Sequence, residues 1–397
     1  MTETVLRIAV REFAPFESAI AAQFADFVRH TGVSARIELD VLDLNTLHHK
    51  AIAQGGLARG DYDIAFLCTD WLAQAQAMGQ LADLAPLLAQ RPASDYPHGW
   101  SPSLTTMQAF AGGVWGLPYH DGPECLVYRK DLLAAADLAV PGTWEEYHAA
   151  ARRLHDPASG VSGTVLALFP DGHNGFYDFC IHIWSRGGEP FTPAGRPDFA
   201  SPQAHAALDF LRTLARDTQA IAPGARETDS VQSGMLFAAG HVAMMANWFG
   251  FAAYADTAPD SAVRGLVDVA PLPAGEGGGT VSLNVFWVLG IGSGSTHRDL
   301  AWDFLRHCTR PEMDRLTTTH GAIGTRRSTW ADPAVNAAIP YYHRLDWLHQ
   351  SARALPHTTR LADFSHIIDD VLGQAVTGEQ TTADLLAQAQ CQAEALA

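Results

Sequence analysis

About the first 70 residues predict an α/β fold built on a parallel sheet, and three observations carry that prediction. Leu6, Ile8 and Val10 alternate with Arg7 and Ala9, as a half-buried strand does. Ile20, Phe24, Phe27 and Val28 then recur along one helix face, which Thr31-Gly32 ends. Asp63 to Cys68 is a short, almost continuous apolar run, the pattern of a strand covered on both sides. A second alternating strand at Ile37, Leu39 and Val41, and a helix over roughly Thr46 to Gln54, complete a β-α-β-α-β order. Such an order layers helices on a parallel sheet.

Two loops then fall at the carboxyl ends of strands, where open α/β sheets bind ligands. One is Glu12-Phe13-Ala14-Pro15-Phe16; the other is Thr69-Asp70-Trp71. Phe13 and Phe16 fit either a ligand surface or a staple on the next helix. Asp70 fits either a ligand group or the cap of a helix starting at Trp71.

Further along, Gly112 to Tyr119 reads as a strand entering a turn, and Asp121-Gly122-Pro123 as a crossing between two lobes. Leu126-Val127-Tyr128 is strand-like. Thr143 with Glu146 three residues later is a capping box, followed by the helical face Trp144, Tyr147, Ala151 and Leu154. Ser201-Pro202 opens another helix, with Leu208, Leu211 and Leu214 on its buried face. Pro271 to Gly279 reads as flexible and exposed. Val281 to Ile291 returns to strand-like residues, and Ser295-Thr296 can cap a helix that buries Leu300, Phe304, Leu305 and Cys308. Asp314 to Arg327 reads as a connector, and the remainder as mainly helical.

Composition narrows the function. The 397 residues suffice for two or three domains. Against 43 acidic residues stand only 26 Lys and Arg, a formal charge of −17 that repels nucleic-acid backbones and anionic lipid. The five cysteines form no C-x-x-C pair, which argues against a disulfide scaffold or a cysteine zinc site and for small buried hydrophobes. The longest apolar window, Ala238 to Ala255, is broken by His241 and Asn247, so no membrane span is expected. No signal-peptide pattern follows Met1.

Catalytic signatures are missing as well. The chain has no H-E-x-x-H, P-loop or G-x-S-x-G motif. Gly290 to Ser295 lacks the third glycine of a dinucleotide fingerprint and is explained by a strand-to-helix turn. His48-His49, the pair His343 and His349, and the tyrosines Tyr341-Tyr342 do not assemble a metal-ligand pattern. No metal and no cofactor is expected.

Seven short segments resemble, in order and across nearly the whole chain, the extracellular solute-binding proteins of ABC importers, family 1. This is the type that includes maltose-binding protein. The segments are Gly116-Leu117-Pro118-Tyr119 with Leu126 to Leu132, Pro141 to Glu146, Trp184 to Phe191, Ser201 to Leu211, Phe237 to Met245, Val269 to Pro273, and Ala301 to Leu305. The sequence departs from the family pattern at Gly324, where proline is common, and in the missing leader. The resemblance implies a two-lobed periplasmic-binding-protein-like α/β fold whose lobes close by hinge motion on a solute in the cleft between them. Lobe one is expected over residues 1–118 plus 278–322, and lobe two over 124–272 plus 326–397. Crossings are expected near 119–123, 273–277 and 323–325.

The function implied is receptor for a sugar-like solute (a carbohydrate, a polyol or a sugar acid), handed on to the transmembrane subunits of an ABC permease. The receptor is expected to be monomeric and not an enzyme, with a periplasmic or extracellular-facing location. A cytoplasmic sensor of the same fold and an enzyme on a bilobal scaffold are the alternatives. Sugars need aromatic faces for stacking and planar polar groups for hydroxyls. On that basis the ligand-binding candidates are Phe13, Asp70, Trp71, Asn284 and Trp287 from lobe one, and Tyr119 and Asp121 from the hinge. Asp171, Trp184, Asn247 and Trp248 come from lobe two, and Arg326 beside the last crossing is placed to meet an acidic ligand. Trp184 and Trp248 fit the core equally well, and Asp171-Gly172 fits a plain turn.

Overall fold

A computed structural model describes residues 3–396. Its strands of three residues or more are β1 (Thr4–Arg11), β2 (Ala35–Leu42), β3 (Ile64–Cys68), β4 (Leu117–His120), β5 (Glu124–Arg129), β6 (Ser162–Thr164), β7 (Val242–Trp248), β8 (Val267–Ala270) and β9 (Trp287–Ile291). Its helices of nine residues or more are α1 (Ala14–Thr31), α2 (Trp144–Leu154), α3 (Asn174–Ser185), α4 (Pro202–Ala215), α5 (Ser230–Ala238), α6 (Phe249–Thr257), α7 (Arg298–Cys308), α8 (Pro311–Thr319), α9 (Leu361–Thr377) and α10 (Thr382–Leu396). No described helix is long and apolar enough to cross a membrane.

The chain divides into two units, residues 1–122 with 285–349 and residues 123–284 with 350–397. The first boundary, between Gly122 and Pro123, falls inside the expected 119–123 interval, but the other two lie later than expected. Residues 326–349, expected in lobe two, pack in unit one. Contacts distant in sequence hold them there: Arg326 on Asp95, the Tyr342 and Thr318 hydroxyls at 2.9 Å, and His349 Nε2 on Asp121 at 2.6 Å. Residues 278–284, expected in lobe one, belong to unit two, where Ser282–Leu283 pairs with Ala352–Arg353.

Unit one is built on a five-stranded sheet of order β2-β1-β3-β9-β4. The first three strands are parallel, as the opening pattern predicts. β9 runs antiparallel to both β3 and β4, so the sheet is mixed; this strand returns from more than 200 residues downstream, beyond the reach of local pattern. α1 begins with proline in its first turn and ends at Gly32, whose φ of 69° and N–H bond to Val28 O make the left-handed cap glycine tolerates. Its buried face carries Phe16, Ile20, Phe24 and Phe27, and the last two meet Phe304 of α7 at 5.1 and 5.5 Å between ring centroids. Burying such a side chain contributes about 1.5–3 kcal/mol. The helix expected over Thr46 to Gln54 exists as an α-helical turn, Leu44–His48, that widens into a π turn at His49–Ala53.

Unit two carries a four-stranded sheet of order β8-β5-β7-β6, with β5 antiparallel to β8 and β7, and β6 parallel to β7. α2 has its capping box: Thr143 Oγ1 accepts from Glu146 N–H at 3.1 Å while Glu146 accepts from the Thr143 N–H. Ser201 caps α4 in the same way through Ala204 N–H. Gly163 lets β6 approach α2 closely, since a Cβ there would sit 1.8 Å from Ala151 O.

Two loop expectations need correction. Pro271 to Gly279 is docked over its first half, where Ala274 and Gly275 donate to Gly142 O and Ser185 O, each at 2.9 Å. The segment read as a connector from Asp314 begins inside α8. All five cysteines are free; Cys391 is exposed and the other four are buried.

Candidate functional site

In unit one, β1, β3 and β4 present their carboxyl ends on one edge of the sheet, and antiparallel β9 begins there. Trp287, the first residue of β9, pairs with Cys68 at the end of β3 and with His120 at the end of β4. Phe13 lies two residues past β1, and Asp70 and Trp71 form the 3₁₀ turn after β3. Thr69 fixes that turn, its N–H donating to Phe286 O at 3.0 Å and its Oγ1 accepting from Phe286 N–H at 3.2 Å.

The side chains on this edge form a continuous aromatic row. His48 lies 5.1 Å from Trp71, and Trp71 lies 5.8 Å from Trp287. Phe16 lies 5.8 Å from Trp287, 4.8 Å from His120 and 5.1 Å from Phe13. Phe13, His120, Trp287 and His48 keep partial exposure, while Phe16 and Trp71 are buried behind them. Phe16 is therefore the staple that one reading of the Phe13 loop offered, and Phe13 forms part of the partly exposed row. The ring pairs are mostly edge-to-face, a packing worth about 0.5–1.5 kcal/mol per pair beyond burial. His120 is held neutral, its proton affinity pushed down to about 4 by burial. Its Nδ1 accepts from Ile323 N–H at 2.8 Å, which leaves the proton on Nε2 as a donor.

Three candidates of unit one lie inside the protein instead. Tyr119 is 2% exposed and its hydroxyl donates to Gln23 at 2.9 Å. Asp121 is bound to His349 Nε2 at 2.6 Å, with Ser103 on His349 Nδ1 at 3.0 Å and Trp330 stacked on the imidazole. This group ties the stretch before one boundary to the stretch before another. Arg326 is 1% exposed: it donates to Thr309 O at 2.8 Å, Ser94 O at 3.1 Å and Asp95 at 2.9 Å, and lies 4.3 Å above the Trp100 ring. Its charge is spent on the protein, so the expected pairing with an acidic ligand is corrected.

In unit two, Trp248 ends β7 partly exposed and stands edge-on to Tyr177 at 5.9 Å. Asp171 accepts from His173 N–H at 3.0 Å in a turn where Gly172 takes a φ of 78°, so the turn reading describes its geometry. Trp184 is 4% exposed, donates to Glu189 at 3.2 Å and carries Arg353 above its ring at 5.1 Å, the core alternative. Asn247 is wholly buried and donates to Ser230 O and Ser233 Oγ, a clamp between β7 and α5. Asn284, assigned to lobe one beside Trp287, is instead the last residue of its segment of unit two, and its N–H donates to Arg353 O at 2.7 Å.

The sequence reading missed three groups. His120 sits between two chosen neighbours, and strand alternation turns it to the face opposite Tyr119. Asp178 is a single carboxylate in α3, every residue of which is buried, and an acid in such a helix is the signal that was there to find. Glu124 lies between the two stretches of the first family-like segment, at the start of β5, and burial pushes its proton affinity well up, as it does for Asp178. A separate groove of about 700 Å³, lined among others by Val161, Ala222, Pro223 and Val376, contains none of the candidates.

Known proteins match this fold closely. Maltose-bound MalE3 of T. maritima superposes with a TM-score of 0.90 at 22% identity, covering 99% of this chain and 100% of that one. A solute-binding protein of Agrobacterium radiobacter K84 in complex with ribitol gives a TM-score of 0.90 at 24% identity, covering 99% of each chain. These likenesses show the two-unit α/β fold of periplasmic binding proteins. A probable ABC transporter-binding protein of Deinococcus radiodurans is 25% identical over 275 residues, 68% of this chain and 64% of that protein. The chain thus spans less than two thirds of the curated relatives it first matches. The family described as bacterial extracellular solute-binding protein fits residues 11–314, well over half of the sequence, and the chain belongs to that family.

Proposed function

We propose that the protein is the solute receptor of an ABC importer, binding a sugar or polyol and delivering it to the permease's transmembrane subunits from the periplasmic or extracellular side. The observation that carries this reading is the aromatic row on the carboxyl edge of the unit-one sheet, with Asp70 beside it and Nε2–H of His120 as a donor. Aromatic faces suit the C–H surfaces of a sugar, and the polar groups suit its hydroxyls. Trp248 in unit two, partly exposed and backed by the buried Tyr177, offers a second aromatic group of the same kind. The solutes in the matched structures, maltose and ribitol, belong to these classes. The role is binding rather than catalysis, and the receptor acts as a monomer.

Isothermal titration with maltose, ribitol and related sugars tests the reading. Trp287→Ala is expected to weaken binding of the solute that titrates by about tenfold or more, ~1.4 kcal/mol, while the variant stays folded. An unchanged affinity removes the row from the binding surface.

A further inference from the structure

Unit two holds a buried acidic pair that no cationic side chain faces among the described residues. Glu124, first residue of β5, is 1% exposed, and no N–H or hydroxyl donor of another described residue reaches its carboxylate oxygens; their polar partner is the carboxyl of Asp178. The carboxyl of Asp178, from α3, lies against it and is 8% exposed. Ser282 is close, but its hydroxyl donates to the Glu124 backbone carbonyl at 2.5 Å. The other titratable neighbours are the Cys125 thiol on β5 and the Tyr147 phenol on α2, neither of them cationic. Among the described residues no Arg, Lys or His forms an ion pair with either carboxyl.

The rest of the setting is aromatic. Trp248 is the register partner of Glu124 across β5 and β7. Tyr177 stands edge-on to Trp248 at 5.9 Å, and His173 lies 5.2 Å from Tyr177.

We propose that Glu124 and Asp178, flanked by Trp248 and Tyr177, form a recognition site for an ammonium group, so that the preferred solute is an amine-bearing sugar or cyclitol. This rests on the solute-receptor reading and names the solute class for it. A carboxylate accepts only, and an ionised one taken out of water is costly unless a charge compensates it. A neutral hydroxyl supplies one donor and no charge. An ammonium supplies up to three donors and a full charge, and aromatic faces beside it add a cation–π attraction. In the free protein burial favours the protonated carboxyls. A bound cation favours the ionised form, so the proton held by the pair leaves to the buffer as the amine binds. No covalent bond forms or breaks.

The experiment is isothermal titration near neutral pH in two buffers of different ionisation enthalpy. The probes are glucosamine, galactosamine and mannosamine, each against its hydroxyl counterpart glucose, galactose or mannose. At least one amine is expected to bind about tenfold tighter than its counterpart, ~1.4 kcal/mol. Its binding enthalpy is expected to change between buffers in the sense of proton release. Glu124→Gln and, separately, Asp178→Asn should cut the preference below about threefold and abolish the buffer dependence, with circular dichroism confirming the fold. Should one variant fail to fold, the other and the wild-type comparison carry the test. Hydroxyl sugars binding with no amine preferred overturn the proposal and leave the receptor reading standing. A preference that survives both substitutions also overturns it. Binding by neither series overturns the proposal and the sugar reading together.

Discussion

At the scale of residues, type and position divide the candidates. Phe13 and Trp71 follow strands legible from local pattern, at the carboxyl ends where open α/β sheets bind ligands, and Trp287 joins them on one sheet edge because β9 pairs with both β3 and β4. Tyr119, Asp121 and Arg326 are expected at or beside crossings and Asn247 in lobe two, and the chemistry of all four is spent inside the units. What decided it was partners 14 to 232 residues away in sequence, such as Ser233 for Asn247 and Ser94 for Arg326, which no local pattern reveals. Arg326→Ala is expected to destabilise the protein by about 3 kcal/mol, from two carbonyls left without donors and a lost stacking contact. A urea midpoint shift reads this loss, and Arg326→Lys should recover only part of it, because lysine lacks the planar fork.

Asp369 gives a residue-scale pH prediction. Desolvation pushes its carboxyl up to about 7, although Gly172 N–H donates to it at 2.8 Å. A carboxyl with a raised folded value holds a proton that the unfolded chain has already lost. Its contribution to stability therefore falls as pH rises from about 4 to about 7, by at most about 1.4 kcal/mol per pH unit. Asp369→Asn removes that loss. The variant should gain stability relative to wild type between pH 5 and pH 8 in thermal melts, and parallel curves for the two proteins would refute the assignment.

At the scale of elements, most of what periodicity and capping chemistry announced is there. The Thr143 and Ser201 caps, the Gly32 terminator and the three parallel strands of unit one all form from local signals. The capping box is worth about 1 kcal/mol, so Thr143→Ala should lower the unfolding free energy read from urea denaturation by that amount and leave the folded circular dichroism spectrum unchanged. What was not legible were the elements defined by distant pairing. Val281 to Ile291 reads as one strand-like run, yet its first part pairs with Ala352–Arg353 in unit two and its last part enters the unit-one sheet. Composition likewise misled over Pro271 to Gly279, where glycine permits close approach to Ser185 rather than freedom.

At the scale of the whole molecule, the division into two units came from resemblance; its last boundary lies later because residues 326–349 are held to Asp314 of α8 and to Asp95, and its middle one because Ser282–Leu283 pairs with Ala352–Arg353. The charge of −17 disfavours an anionic polymer as a partner and does not select a solute. We propose that selection rests with the aromatic row of unit one and with Trp248 and the acidic pair of unit two. The central claim is that these surfaces serve a reversibly bound small solute. Thermal unfolding with a panel of sugars, amino sugars, polyols and sugar acids, followed by recovery of the ligand, tests it most directly. A solute at about 100 times its Kd is expected to stabilise the protein by ~2.7 kcal/mol, for one chemical class, and to be recovered unchanged. A flat response across the panel, or a ligand recovered chemically altered, would contradict the account.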